Sequence, residues 1–559
     1  MIAILAGISS SDKPSVGDKG VLVLDLNKHY NEQQDDNPVS FLTGNSDDNV
    51  PGLYDVVRMI EFAKKDSAIK GVYIKCNDNA NGFAASEELR NALIDFKDSH
   101  KFIIAYGDVI SQKAYYVATV ADKVYCNPQG AVEWKGLATT IMFLKGTLEK
   151  LEIEPQIFYA GKFKSATEPL RAYQMSEPNK LQTSVYLSDL YSMMLLAAAD
   201  KSKLDTAALH ALANNGSIQT ASQAYQYHLI DGAKYDDEVR DEIISHIKSD
   251  TLGKINFISL GKYSKAADYK QSSGSKIAVV FAEGEIVDGK GQDDEIGGDT
   301  FRSLLRKVRL DKDIKAIVLR VNSPGGSALA SDEIWREISL AKKVKPVVVS
   351  FGDVAASGGF YISCNADSIF AQPNTITGSI GVFGIVPNMK KFFNNKLGIT
   401  FDGVKTGPFA DLPNTSRPLS DAEKAFIQNM IDTIYATFKG RVADGRKLLP
   451  AIVDSIAQGR VWTGKRALTL GLIDRIGNMG DAIKCAADMA NLKEYRLKEY
   501  PEKKNFVEKI LNKYGDEIKA KSIKEEIGEE QYMLLKKMKT YREMMNAPQA
   551  RIPFEISFR

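Results

Sequence analysis

Ala316-Ile-Val-Leu-Arg-Val-Asn-Ser-Pro-Gly-Gly326 decides how this chain folds. Its first six residues are apolar or β-branched around a single arginine, which reads as a strand buried on both faces. The run stops at a Pro-Gly-Gly turn. Beyond it, Leu329–Lys342 carries helix-spaced apolar residues at Ile334, Ile338 and Leu340, and Val347–Phe351 is a second buried-strand run. Strand, helix, strand at this spacing predicts βαβ units and an α/β domain.

The pattern occurs twice. Residues 66–136 fall on 311–381 at a constant offset of 245. Gly71-Val-Tyr-Ile-Lys-Cys-Asn77 lies over Ala316–Asn322, Tyr106-Gly-Asp-Val109 over Phe351-Gly-Asp-Val354, and Asn127-Pro128 over Gln372-Pro373. Gly216–Asp231 matches Gly459–Asp474 at an offset of 243, so one small indel separates two copies of one fold. The copies differ where chemistry is expected. Asn322-Ser-Pro-Gly-Gly326 in the second is Asn77-Asp-Asn-Ala-Asn81 in the first, and Ser357 is replaced by Gln112. Chemistry erased from one copy predicts different jobs for the two halves.

Working outward, residues 1–49 form a polar N-terminal segment around the strand-like run Gly20-Val-Leu-Val-Leu-Asp25. The first repeat is expected over 50–262, a polar linker over 263–275, and the second repeat over 276–495, opening with the strand Lys276–Phe281. Residues 496–559 read as a charged helical C-terminal extension, with Met533, Leu534, Leu535 and Met538 available for packing. Met1–Ile8 is apolar but far shorter than the ~20 residues that span a bilayer, and no basic stretch precedes it. It reads either as the end of a membrane anchor or as a buried strand or loose start.

Composition removes several function classes. Hydrophobic content of 44% with 26% charged residues describes an ordinary globular protein. The 73 basic and 71 acidic residues are interspersed, as in Lys519–Glu530, so no nucleic-acid partner is expected. Cys76, Cys126, Cys364 and Cys485 are too widely spaced for a metal or redox motif, and Cys76 and Cys364 read as buried free thiols. All five histidines lie in the first half, none at ligand spacing, so neither metal nor cofactor is expected.

Two turns of the second copy carry the chemistry. Asn322-Ser-Pro-Gly-Gly-Ser327 follows a buried strand, and its paired glycines can turn amide N–H groups outward to meet an oxyanion. Read alone, it is a tight strand-to-helix turn. In Asp353-Val-Ala-Ala-Ser-Gly-Gly-Phe360, Ser357 sits at a strand-to-helix handover, where a serine often does no more than cap the helix. Adjacent parallel strands would bring the two turns to one sheet edge, which raises Ser357 to a candidate nucleophile. A serine nucleophile needs a base, and the second half holds no histidine. Lysine serves once burial or a positive neighbour lowers its pKa from ~10.4. Lys162 and Lys164 lie among small and apolar residues in Ala160–Pro169.

Five segments together resemble the signal peptide peptidase A (protease IV) family in its long two-domain form: Leu319–Gly326, Val354-Ala-Ala-Ser-Gly-Gly359, Thr375-Ile-Thr-Gly-Ser-Ile-Gly381, Gly161-Lys-Phe-Lys-Ser-Ala166 and Gln458-Gly-Arg-Val-Trp-Thr-Gly464. The resemblance covers about residues 50–495. It implies two tandem domains of the Clp protease and crotonase type. It implies Ser357 as nucleophile, Lys164 rather than Lys162 as general base, Ser379 as the residue orienting that lysine, and the backbone amides of Gly326 and Gly358 as oxyanion donors. At the 245 offset Lys164 corresponds to Phe409 and Ser379 to Trp134, so neither copy holds a full site and both domains are expected to meet. The resemblance further implies a membrane-associated homo-oligomer, commonly a tetramer, on the extracytoplasmic side of the bacterial cytoplasmic membrane. Its substrates would be released signal peptides and other apolar peptides. Two alternatives stand beside the Ser/Lys endopeptidase: an acyl-CoA thioester enzyme on the same superfold, and a catalytically silent membrane scaffold.

Overall fold

The computed structural model describes residues 15–34, 49–249, 254–502, 528 and 547–552. They divide into two compact units, one built from 1–137 with 190–272, the other from 138–189 with 273–559. The expected N-terminal anchor remnant at Met1–Ile8 lies outside the described residues, as does the helical stretch with Met533 to Met538.

The chain lays down β1 (Gly20–Asp25), β2 (Ile69–Lys75), β3 (Phe102–Ile110), β4 (Lys123–Val132), β5 (Glu154–Ala160), β6 (Gly232–Ala233) and β7 (Phe257–Ser259). In the first unit β6-β4-β3-β2-β1-β7 form one parallel sheet. Alternate residues feed opposite faces. Leu22, Val72, Ile74 and Ile103 pack with Met59, Leu89 and Phe96 of the helices Leu53–Lys65 and Phe83–Lys97. Val21, Tyr73 and Ile104 pack with Val239 and Ile243 of the helix Asp236–Ile247. Helices on both faces explain why the strands read as unbroken apolar runs.

The second unit adds β8 (Ser275–Glu283), β9 (Glu285–Val287), β10 (Glu295–Gly297), β11 (Ile314–Ser323), β12 (Gly325–Ser327), β13 (Val347–Ala356), β14 (Ser368–Ala371), β15 (Ile376–Gly378), β16 (Val382–Asn388), β17 (Val461–Thr463), β18 (Arg475–Ile476), β19 (Tyr495–Tyr500) and β20 (Gln549–Arg551). The neighbour series β18-β14-β13-β11-β8-β19 runs in the same order as the sheet of the first unit. Ile317, Leu319, Val347 and Val349 pack with Leu305 and Ile338 of the helices Gly298–Leu310 and Ala328–Ala341. The helix Met479–Met489 packs against β11 and β13 as well. A smaller sheet, β10-β9-β12-β20-β16-β5, stands beside it.

Several boundaries differ from those read in the sequence. Residues 138–189 belong to the first repeat by sequence but pack in the second unit. The cause is β5, which pairs antiparallel with β16 from Val382↔Ala160 to Asn388↔Glu154. The expected linker is partly helical, because Tyr263 of the helix Leu260–Ala266 is fully buried and donates its hydroxyl hydrogen to Asp66 at 2.8 Å. Within the expected helical extension, Tyr495–Tyr500 is a strand along β8 and Gln549–Arg551 another beside β12.

Candidate active site

β11 and β13 are parallel neighbours, with Val321 opposite Phe351 and Ser323 opposite Ala355. Each ends in one of the two turns singled out in the sequence, so both turns meet at one sheet edge. The β-carbon position of Gly325 lies 2.7 Å from the Gly358 amide nitrogen. Gly325 and Gly326 take φ of +97° and +156°, and a side chain on Gly326 would run into the Ile286 carbonyl oxygen at 1.9 Å. Only glycine fits there.

Ser357 follows the last residue of β13 with φ +55° and ψ −112°, a costly conformation for a residue with a side chain. Its amide donates to the Gly378 carbonyl at 2.8 Å, which fixes the turn. Although Ser357 occupies the N-cap position of the helix Gly358–Ser363, its side chain makes no capping bond. The hydroxyl is fully buried and faces Lys164 Nζ at 3.0 Å.

Lys164 is carried into place just beyond β5. It is 1% exposed, whereas Lys162 is exposed to solvent. Its Nζ lies 3.1 Å from Ser379 Oγ and 3.3 Å from the Ser379 carbonyl oxygen. Among the described residues no carboxylate pairs with it, and burial holds its amine well below the usual lysine range. Ser379 in turn donates from its hydroxyl to the Gly459 carbonyl at 3.3 Å, and its amide donates to the Arg460 carbonyl at 2.7 Å. So Ser357, Lys164 and Ser379 converge within a single compact unit of a single chain, and the two glycine turns lie at the same edge. The expected meeting of two domains is replaced by a strand that crosses the repeat boundary.

Some contributors carried no recognisable signal of their own. The Lys164 loop is hydrogen-bonded to the 458–461 turn through Phe163 N–H to the Gln458 carbonyl at 2.7 Å. Gln182, 1% exposed, donates to the Phe163 carbonyl at 3.2 Å and to Ser165 Oγ at 2.9 Å, and accepts from Val461 N–H at 3.3 Å. Nothing about a glutamine in a helical stretch announces that task. The segment Gln458–Gly464 was visible as a motif, but its use, walling the lysine, was not.

In the first copy the matching positions are structural. Gln112 Oε1 accepts from the amides of Lys135 at 2.8 Å and Gly136 at 3.0 Å. Trp134 is buried edge-on to Tyr115 and donates to the Leu209 carbonyl at 2.9 Å. Among the described residues no cluster of three or more His, Cys, Asp or Glu could hold a metal, and no helix is long and apolar enough to cross a membrane.

Tandem α/β units, one holding a strained, uncapped serine beside a buried lysine, describe a hydrolytic enzyme. Comparison with known proteins gives the class. The profile of Peptidase family S49 matches residues 95–248 and again 339–493. The chain is 35% identical over 478 residues to "Protease 4" of Salmonella typhi, covering 84% of this chain and 77% of that protein. It is 35% identical over 516 residues to "Protease 4" of Haemophilus influenzae, covering 88% and 83%. It is 34% identical over 447 residues to "Serine protease SPPA, chloroplastic" of Arabidopsis thaliana, covering 77% and 64%. The chain belongs to peptidase family S49 and is a serine protease. The thioester and scaffold alternatives give way to that membership.

Proposed function

We propose that this serine protease is an endopeptidase with Ser357 as nucleophile and Lys164 as general base, acting on apolar peptides, released signal peptides among them. The observation that carries the reading is the 3.0 Å approach of a fully buried lysine amine to an uncapped serine hydroxyl. A neutral amine has two N–H groups and one lone pair. Donating both hydrogens to Ser379, at its carbonyl and its Oγ, leaves the lone pair for the Ser357 proton. Ser357 Oγ then attacks the peptide carbonyl, and the Gly326 and Gly358 amides receive the oxyanion. Lys164 passes the proton to the leaving amine, and afterwards activates the water that hydrolyses the ester. From the motif resemblance of its sequence we further infer a membrane-associated homo-oligomer, commonly a tetramer, on the extracytoplasmic side of a bacterial cytoplasmic membrane.

The test is hydrolysis of a leucine-rich fluorogenic peptide by the wild type, Ser357→Ala and Lys164→Ala, with mass spectrometry of the acylated serine. Activity lost in both folded variants, with the adduct on Ser357, supports the dyad. Full activity of Lys164→Ala near neutral pH assigns the base elsewhere.

A further inference from the structure

Among the described residues, Arg460 is a half-buried cation with no carboxylate beside it, and its Nε is buried without a hydrogen-bond acceptor. Arg466, whose charge bears on it, is itself held by Asp189 at 2.6 and 2.8 Å. Burial first, and Arg466 second, keep the Arg460 guanidinium below its usual range. A desolvated cation without a counter-ion costs stability. Fold stability therefore does not account for this arginine.

Its surroundings are aromatic. The guanidinium carbon lies over the Trp462 ring, 4.2 Å from the centroid, and over the Phe163 ring at 5.0 Å. A planar, weakly hydrated guanidinium is attracted to such faces, the more so when desolvated. Both rings adjoin the reacting groups. Phe163 directly precedes Lys164, and its amide donates to the Gln458 carbonyl at 2.7 Å. Trp462 lies against the residue before Ser379, with its Cδ1 2.8 Å from the β-carbon position of Gly378. The indole is fixed in turn by its N–H, which donates to the Ile456 carbonyl at 2.9 Å. The Arg460 carbonyl accepts the Ser379 amide at 2.7 Å. One residue thus joins the chain next to the base to the chain next to the group that orients it.

We propose that Arg460 is a positioning residue for the reaction, which grips the rings of Phe163 and Trp462 and so locks the Lys164 loop to the Ser379 turn. The inference rests on the Ser357/Lys164 reading. The Arg460 side chain makes no hydrogen bond to either serine or to Lys164, whose amine is held by the two serines alone. It acts through the two rings. What it sets is the distance of the amine from the Ser357 hydroxyl.

The test compares wild type, Arg460→Met, Arg460→Lys, Phe163→Leu and Lys164→Ala in hydrolysis of the leucine-rich peptide and in urea unfolding. Arg460→Met should lower kcat by about 10- to 100-fold with KM little changed. Its resistance to urea should equal or exceed that of the wild type, since the unbalanced cation is gone. Arg460→Lys should be no more active, because an ammonium keeps the charge but lacks the planar face. In both, the pH of half-maximal kcat/KM should move up, as a loosened loop admits water to the Lys164 amine. The charge is unchanged in Arg460→Lys, so its shift reports the loop. Phe163→Leu, which removes one ring and keeps Arg460, should lose a comparable factor, and it decides the matter if Arg460→Met does not fold. Wild-type kcat in either Arg460 variant overturns the proposal. So does a kcat loss matched by lost urea resistance, which marks a merely structural arginine. Lys164→Ala separates the two readings: if it is inactive, such results overturn the positioning role alone, and if it keeps full activity, both readings fall.

Discussion

Gly459 lies against Lys164: a β-carbon on the glycine would stand 2.7 Å from the lysine's Cβ and 2.7 Å from its amide nitrogen. Gly459 also has φ +71°, where any side chain is strained. Gly459→Ala is therefore expected to push the Lys164 loop away from Ser357. Because a displacement near 1 Å can cost on the order of 10²-fold in rate, kcat should fall by about that factor, with KM little changed. Steady-state kinetics with circular dichroism of the variant checks this.

Ser357→Ala and Lys164→Ala should each lower kcat/KM by at least about 10⁴-fold, as for nucleophile and base working as one unit. The double variant should be scarcely worse than either single one. Lys164→Arg should be as inactive as Lys164→Ala, since a guanidinium does not give up its proton near neutrality. Activity retained by the arginine variant would argue against proton transfer at this position.

The pH dependence follows from burial of the Lys164 amine, which favours its neutral form. Since the neutral amine is the active base, kcat/KM should rise with pH through the folded-state pKa and then level off. Stability has a defined sign too. Between that lowered pKa and the ordinary lysine value of 10.5, the unfolded chain binds the extra proton, so stability rises with pH. Lys164→Met should then stabilise the fold at pH 7, where the unfolded chain holds a lysine proton that the folded chain does not. The gain should shrink toward pH 10, as read by denaturant titration at several pH values.

Ser379→Ala removes one of the two acceptors that hold the lysine's hydrogens and leaves the backbone carbonyl in place. A loss of about 10- to 100-fold in kcat is expected, smaller than for the base itself, consistent with a positioning group. A KM effect without a kcat effect would place Ser379 in substrate binding instead.

Thiol reagents should leave the enzyme active. Cys76, Cys126 and Cys364 are buried free thiols and Cys485 is half-buried; burial pushes Cys126 and Cys364 up to about 12 and raises Cys485 as well. Iodoacetamide at pH 8 should change peptide hydrolysis by less than about twofold, because so little thiolate is present.

Much of this architecture is legible along the chain, for a physical reason. Gly20–Asp25 is a strand as read, and Leu329–Lys342 corresponds to the helix Ala328–Ala341. These elements are set by local periodicity. β11 and β13 outrun the predicted strands, ending at Ser323 and Ala356, because the sheet hydrogen bonds continue into the polar and small residues of the turns. The placement of residues 138–189 was not legible. It depends on β5 pairing with a strand more than 220 residues away, and nothing in Glu154–Ala160 names that partner. Ser357 showed the opposite limit. Its sequence context allows a helix cap, and the strained backbone with a hydroxyl that faces Lys164 instead of capping the helix tells a nucleophile from a cap.

The antiparallel pairing of β5 with β16 also decides what can be exchanged between relatives. A chimaera joined in the 263–275 region would inherit the lysine from one parent and its hydrogen-bonded berth from the other. Its fitness would then hinge on seven backbone pairings and the fit of Gly459 against Lys164, rather than on either half's own integrity. A graft of residues 138–189 together with 273–502 would move lysine, serine and berth as a single inheritable block. In this architecture the heritable unit of catalysis is a discontinuous one, and it does not coincide with the duplicated unit of sequence.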